Sequence, residues 1–562
     1  MCVFQVKKRM SLKSSSSVRA PLFVLVVIVL IRLLCLGVPD LIDTTEGRYA
    51  STAQLMVERN DWVTPWIIFK GVEEPYLGKP PFHFWLMNTS YQLFGLSNFS
   101  ARLPSLLTAM MVGLILYILT KLLFERRSAY VATVVFGSSL ITFFLGGACV
   151  LDMTLTAGIT LAVAGYAMAR RSRVWGYLCF AGLGIGVLVK GPVAIVFFGM
   201  VVGPWCAARW WRGLGWWSEL RALPWLSGMA LFIAICVPWY IAAEIRNPGF
   251  LHYFIWTENI GRFLSKSYDD HYGSGHVQFR GAAWIWMIPS LVPWSLVLVA
   301  TLIERRRMFS IRGAFDAIMN DDRLSLGFFW TISCPLLLLF ARQYTATYLC
   351  SSIPGFAFLM AGLWNRAMAG EAVGVVPSPG VTRGAILISG ITVIITACRF
   401  YYLAPSLPGV IIPCLAGAVF IFVGARPLKF SDPVSFISLI GVVATVGFGT
   451  TTVGANAHLS THRSTRNVLR YAATFVQGDF AKIGFANNLP FSARFYASLM
   501  SHPKIAVSQV NNDAISQSKE DLIIVRTNKN DTDMVASNQL MEKVGDLGRW
   551  RLYRRRQSAN LP

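Results

Sequence analysis

Four groups of polar residues interrupt an otherwise oily chain, and their types and spacing suit chemistry on an anion. The first, Asp43-Thr44-Thr45-Glu46-Gly47-Arg48-Tyr49, opens a stretch running to Pro81 that also holds Glu58, Arg59, Asp61, Glu73, Glu74 and Lys79. Carboxylates are costly beside a bilayer unless they face water or a partner, so Asp43 and Glu46 are candidates to orient or deprotonate an acceptor group. The plainer alternative, that Glu46 and Arg48 only cap and pin an interfacial helix, stays open. The second group is Asp152 in GGACVLDMTLTAG, at the lip of an apolar run where packing gives an acid no purpose. In the third, Gly78-Lys79-Pro80-Pro81, prolines stiffen a loop and present a lysine, a point charge suited to phosphate. The fourth joins Glu258, Asn259 and Arg262 in WTENIGRFL to Arg342 and Tyr348 in ARQYTATY. Arginine grips phosphate oxygens two at a time and a tyrosine hydroxyl donates one more bond. Arg48, Lys79, Arg342 and Tyr348 are therefore candidate phosphate binders, with Glu258, Asn259 and Arg262 in support. Together they suit an anionic lipid headgroup with acid-base help beside it.

Long apolar segments must position these groups. Hydrophobic residues fill 54% of the 562 positions and charged residues 14%, against about 25% charged in a soluble domain. The formal net charge of +23 is scattered in short clusters between apolar runs, which excludes a nucleic-acid role because no basic face can track a phosphate backbone. Nine of the ten cysteines lie in or beside apolar runs with no CxxC pair, the pattern of buried small hydrophobes.

A crossing helix needs about 20 apolar residues. Thirteen candidates result: 21–38, 104–123, 129–147, 153–169, 175–189, 191–207, 224–243, 282–302, 326–341, 347–364, 382–399, 408–425 and 433–454. The basic segment 1–20 reads as a cytoplasmic N-terminus leading into an uncleaved signal anchor. With that end inside, Arg-rich connections such as FERRSAY, ARRSRVW and ERRRMFSIRG alternate correctly for the cytoplasmic side. The 39–103 and 244–281 loops, Asp152, the ARQYTATY turn and the tail then share the outer face. Residues 48–59 and 82–98 read as helices lying in the interface. The expected architecture is an all-α polytopic membrane domain over 21–455 with a small extracytoplasmic α/β domain over 456–562. Helices RNVLRYAATFVQ and FSARFYASLM alternate there with strands KIGFA, DLIIVR and RWRLYRR. No chemistry is assigned to the tail.

The ordered motifs E-x-R-Y-A, D-W-x-x-P, G-K-P-P, L-D, E-N-x-G-R-F and T-Y-L resemble those of the GT-C membrane glycosyltransferases that use polyprenyl-phosphate sugars. The similarity is to the branch holding the lipid A aminoarabinose transferase and bacterial protein-mannosyltransferase-like enzymes, over roughly 20–455. It implies a thirteen-span layout in a bacterial inner membrane, with the active site and the tail domain in the periplasm. It also implies transfer of one sugar from an undecaprenyl-phosphate carrier to lipid A or lipopolysaccharide, or else to protein Ser/Thr or another glycan. By the resemblance Lys79 and Tyr348 contact the donor phosphate and Asp152 is a catalytic-site acid. Two departures stand out. Thr45-Glu46 occupies the place of an Asp-Glu pair, and the family's metal ligands align with Gly78 and Asn259, so no equivalent zinc site is expected. No cofactor is implied with certainty, and a divalent cation held elsewhere stays open. Membrane lipids are the remaining partners.

Two rivals come from other classes. A transporter or flippase would show inverted repeats and charges near the bilayer midplane, but no internal repeat is evident and the acids sit at outer ends. A scaffold without catalysis leaves the clustered acids unexplained.

Overall fold

The computed structural model describes residues 19–556 apart from 214, 216, 262–263, 265–270, 273–275, 307–309, 372–374, 429–431, 512–514, 516–517 and 527–539. Arg262 thus lies outside the described residues. All thirteen predicted spans fall on helices or on broken pairs of helices. Among the described residues eight helices are long and apolar enough to cross a membrane, nine if the pair Ala282–Ser290 and Trp294–Glu304, bent by 91°, is one span. Thirteen crossings is therefore not the count that length and hydropathy give.

The shortfall has local causes. The helix α1 (Arg19–Cys35) has 17 residues. The predicted span 129–147 divides into α5 (Arg126–Gly137) and α6 (Leu140–Leu145). At the break, Ser138 and Ser139 turn their hydroxyls onto Val134 O and Val135 O, both at 2.6 Å, a back-bonding that competes with helix continuation. The next span, α7 (Asp152–Met168), has 17 residues, as has Asp322–Leu338.

The polar stretch after α1 folds into a buried helix, a hairpin and a short loop. In α2 (Thr45–Arg59) every residue from Glu46 to Met56 except Arg48 is buried. A hairpin of β1 (Trp66–Phe69) and β2 (Val72–Pro75) follows, turning on Lys70 and Gly71 at φ 50° and 81°, the left-handed values that a two-residue hairpin turn requires. The loop Tyr76–Pro81 then leads into α3 (Phe82–Phe94), which buries His83, Phe84, Met87 and Tyr91. Between α3 and α5 stands the long span α4 (Asn98–Leu123), and α8 (Arg173–Lys190) packs antiparallel to α7 by their short connection.

The α/β tail covers α2. Its sheet runs in the order β4-β3-β5-β7-β6, with β3 (Phe480–Ala486) parallel to β4 (Lys504–Val510) and β5 (Leu522–Arg526), and β7 (Trp550–Arg555) antiparallel to β5 and β6 (Met541–Leu547). Two of these strands, β4 and β6, were not expected from the sequence, because KIAVSQV and MEKVGDL mix polar residues into short runs. The last membrane helix continues past 455 to His462. The helix Phe491–Ser498 lies along α2: Arg466 pairs with Asp40 at 2.8 Å, Arg494 with Glu58 at 2.6 Å, and the Tyr496 hydroxyl accepts from Leu41 N at 2.6 Å while donating to Asn98 Oδ1 at 2.9 Å. Gly47 is what permits the approach, since a Cβ there would lie 2.8 Å from Ser492 N.

Candidate active site

Two lysines, one buried and one largely shielded, are each held by a carboxylate and define the site. Lys79, on the loop before α3, donates to its neighbour Gly78 O at 2.7 Å and forms an ion pair with Glu258. The two side chains are 12% and 4% exposed. Glu258 sits on a π-helical segment, Tyr253–Gly261, a distortion that often re-aims side chains at functional sites. The second lysine, Lys190, ends α8 and donates to Asp152 Oδ1 at 2.7 Å, with its ammonium 3.5 Å from the centre of the Tyr348 ring. Asp152 is the first residue of α7, and Tyr348 lies on the tight turn Ala346–Ser352. The next residue, Gly191, has φ 76°, and a Cβ there would meet the Phe254 ring at 2.6 Å. The end of α8 is thereby locked against the element that carries Glu258.

Arg48 and Tyr49 of α2 complete the cluster. The Arg48 guanidinium packs against the rings of Tyr49, Tyr76 and Phe491 at 5.4, 5.8 and 5.9 Å, and its Nε is buried without a hydrogen-bond partner. Burial disfavours its charge, but Tyr76, Tyr49 and Glu258 outweigh that and hold it protonated. Burial, with Tyr76 beside it, pushes the Tyr49 hydroxyl up to about 12 against the pull of Arg48, Lys79 and Lys190. Tyr49 thus stays a neutral donor facing three cations. His83 of α3 lies deeper, its Nδ1 2.9 Å from Thr154 Oγ1, and burial pulls it down to about 4 despite Asp152 nearby. It is a neutral imidazole at physiological pH.

Asp43 and Glu46 face elsewhere. Glu46 uses both oxygens: Oε1 accepts from Arg102 Nε at 2.9 Å and Cys149 N at 2.9 Å, Oε2 from Arg102 Nη2 at 2.8 Å and Ile42 N at 3.1 Å. Asp43 accepts from Ser492 N at 2.9 Å and from the Ser492 hydroxyl. Among the described residues neither touches the lysine pair. Of the supporting residues, Asn259 donates to Phe254 O at 2.7 Å, bracing the π-helical segment. Arg342 is joined to the 276–280 segment through its own carbonyl, which accepts from Gln278 N at 3.1 Å. Its side chain makes no hydrogen bond or ion pair among the described residues. Among them, too, no three His, Cys, Asp or Glu side chains stand together as metal ligands, and the Asn259 amide is already committed to the backbone.

Lys190, Arg102 and His83 escaped the sequence reading, and Tyr49 entered it only as a member of the first group, without a role. The signal for Lys190 was there: LGIGVLVKGP ends an apolar run on a cation with no acid in the run, and it was read only as the end of a span.

The Asp43 environment yields a prediction. Burial raises its carboxyl to about 6 despite two bonds from Ser492 and the charge of Arg526. Because the folded state holds the proton more tightly than the unfolded chain, the folded protein loses stability as pH climbs from about 4 to about 6 and no more above that. Asp43→Asn keeps the carbonyl acceptor and cannot titrate. Thermal unfolding followed by tryptophan fluorescence should show the wild type gaining stability from pH 7.5 to pH 5 relative to the variant. Parallel curves would refute the assignment.

The model of the dolichyl-phosphate-mannose-protein mannosyltransferase family matches residues 21–254. The chain is 27% identical over 371 residues to the undecaprenyl phosphate-alpha-4-amino-4-deoxy-L-arabinose arabinosyl transferase of Pectobacterium atrosepticum, covering 64% of this chain and 60% of that one. With the enzyme of the same name from Aeromonas salmonicida it shares 30% over 351 residues, 61% and 58% of the two chains. It spans about 60% of the length of the curated relatives it matches. The crystal structure of ArnT from Cupriavidus metallidurans bound to undecaprenyl phosphate superimposes with a TM-score of 0.74 at 19% identity, over 95% of this chain and 97% of that one. By sequence through its first half and by fold along nearly its whole length, the chain resembles the GT-C membrane glycosyltransferases, and it is a multi-pass membrane protein of their architecture.

Proposed function

We propose that the chain is an integral-membrane glycosyltransferase that moves one sugar from an undecaprenyl-phosphate donor to lipid A or lipopolysaccharide, on the periplasmic face of a bacterial inner membrane. The observation that carries this reading is the pair of carboxylate-held lysines, Lys79 and Lys190, converging with Arg48, Tyr49 and Tyr348. An acceptor oxygen attacks the anomeric carbon, the bond from that carbon to the phosphate oxygen breaks, and its electron pair leaves on polyprenyl phosphate. The leaving group gains negative charge during the step. Cations fixed before the reaction stabilise that charge without reorganising. Asp152, at the lysine it shares with Tyr348, takes the proton when the acceptor is a hydroxyl and only positions an acceptor that is already a phosphate. Glu258 holds Lys79 in place, and Asn259 shapes the turn that carries Glu258.

The family model's name favours one second reading, transfer to protein Ser/Thr. Mass spectrometry of lipid A and of envelope glycoproteins, from cells with and without the gene, separates the two. Loss of one glycosyl mass from lipid A in the deletion strain and in Asp152→Asn supports the first; loss from protein supports the second. If neither lipid nor protein changes, both readings fail.

A further inference from the structure

A second anion-suited chamber lies on the other side of α2. Its volume is about 780 Å³, and Arg32, Arg102, Arg463, Arg526, Thr45 and Glu46 are among its walls. Arg102 is neutralised by Glu46, and the Asp43 carboxylate, which also lines the chamber, offsets one further positive charge. Among the described residues Arg32, Arg463 and Arg526 form no ion pair, so the chamber keeps a net positive charge.

Arg32 is the telling residue. It sits in the outer half of α1, 6% exposed, stacked 4.8 Å over the Phe143 ring in the notch left by the missing side chain of Gly147. Among the described residues one long bond, Nη2 to Phe144 O at 3.4 Å, is its whole supply, while Nε and Nη1 are buried without partners. An unpaired guanidinium inside a membrane protein is expensive, and an anion in the chamber would satisfy it. Arg463 and Arg526 are exposed at the mouth.

Two apolar grooves meet the chamber. One, of about 550 Å³ between α1, α4, α5 and α6, begins at Arg32. The other, of about 450 Å³ beside the helices Trp294–Glu304, Pro379–Leu403 and Pro433–His462, begins at Phe144 and Thr451, which also line the chamber. A basic chamber opening into two separate apolar grooves matches an anionic headgroup with several chains. A single prenyl chain would leave one groove empty. The two sites share α2: Glu46 lines the chamber, and Arg48 and Tyr49, two and three residues further on, belong to the lysine cluster.

We propose that this chamber binds the phosphate-bearing headgroup of a multi-acylated lipid on Arg32, Arg463 and Arg526, with its acyl chains in the two grooves. Calling that lipid the acceptor rests on the transferase reading; the binding itself does not.

The test titrates full-length protein in detergent with bisphosphorylated lipid A, with undecaprenyl phosphate and with inorganic phosphate, at one ionic strength and without turnover. The exposed pair R463Q/R526Q should weaken lipid A binding at least tenfold and leave undecaprenyl phosphate within twofold. Arg32→Gln should act in the same direction, with its folding checked by retained undecaprenyl phosphate binding. Unchanged lipid A affinity in R463Q/R526Q overturns the proposal, as does parallel weakening of undecaprenyl phosphate, which would give the chamber to the donor. Displacement of the lipid by equimolar inorganic phosphate also overturns it, in favour of a simple anion site. If lipid A binds as described but no sugar moves, the transferase reading fails alone; if sugar moves to lipid A and R463Q/R526Q binds normally, this one does.

Discussion

Replacing Lys190 with methionine should lower sugar transfer by at least 100-fold, measured as initial rate with a radiolabelled polyprenyl-phosphate sugar. Losing one preorganised charge from a leaving-group site typically costs a factor of 10² to 10³. The same substitution strands Asp152, which is buried and has Lys190 as its ion-pair partner. Breaking such a pair costs about 3–5 kcal/mol, so lost activity alone would not separate chemistry from folding. Transfer rate per folded molecule, read at a temperature well below the unfolding midpoint of Lys190→Met, separates them. It should stay at least 100-fold below wild type. A rate per folded molecule within tenfold of wild type would mean that Lys190 only holds the fold. Lys190→Arg keeps the charge but replaces a compact ammonium with a planar fork against the Tyr348 ring, and should retain intermediate activity.

What the sequence could and could not reveal divides along local and non-local lines. Apolar runs of about 20 residues report helices directly, which is why each predicted span lands on helical structure. Whether a helix stays whole depends on details such as the hydroxyls of Ser138 and Ser139, and these do not alter the apolar count. Asp152 was visible because a charge at the end of an apolar run is locally anomalous, Lys79 because prolines stiffen the loop that presents it, and Tyr348 because it shares a polar turn with Arg342. Their partners were not. Lys190 and Asp152 are 38 residues apart in the chain, Lys79 and Glu258 179, and no periodicity encodes such pairings. Burial of α2 was hidden for the same reason, since the segment that covers it, Phe491–Ser498, lies more than 400 residues later.

Glu46 shows how far this changes a residue's role. Its sequence context, an acid beside a membrane in E-G-R-Y-A, suits a general base as well as a structural pin. In the structure Arg102 grips it with two nitrogens and the backbone of Ile42 and Cys149 supplies two more donors, while Arg102 also donates to the carbonyls of Leu36, Pro39 and Asp40. Burial alone would raise the Glu46 carboxyl, but Arg102 and the two backbone donors outweigh it and hold it below its ordinary value. A carboxylate so depressed is a poor proton acceptor. Its stabilisation is complete above the unfolded value near 4.5 and fades as pH falls through the folded one, the reverse of Asp43 three residues earlier. Arg102→Met should therefore destabilise the protein by about 3–5 kcal/mol, because it leaves Glu46 charged and buried. Glu46→Leu/Arg102→Met, lacking both charges, should regain much of that loss. The deciding measurement is transfer rate per folded molecule: within tenfold of wild type in the double variant, in contrast to Lys190→Met. A loss of 100-fold or more in the well-folded double variant would return Glu46 to the list of reacting groups and leave the pin as its second duty.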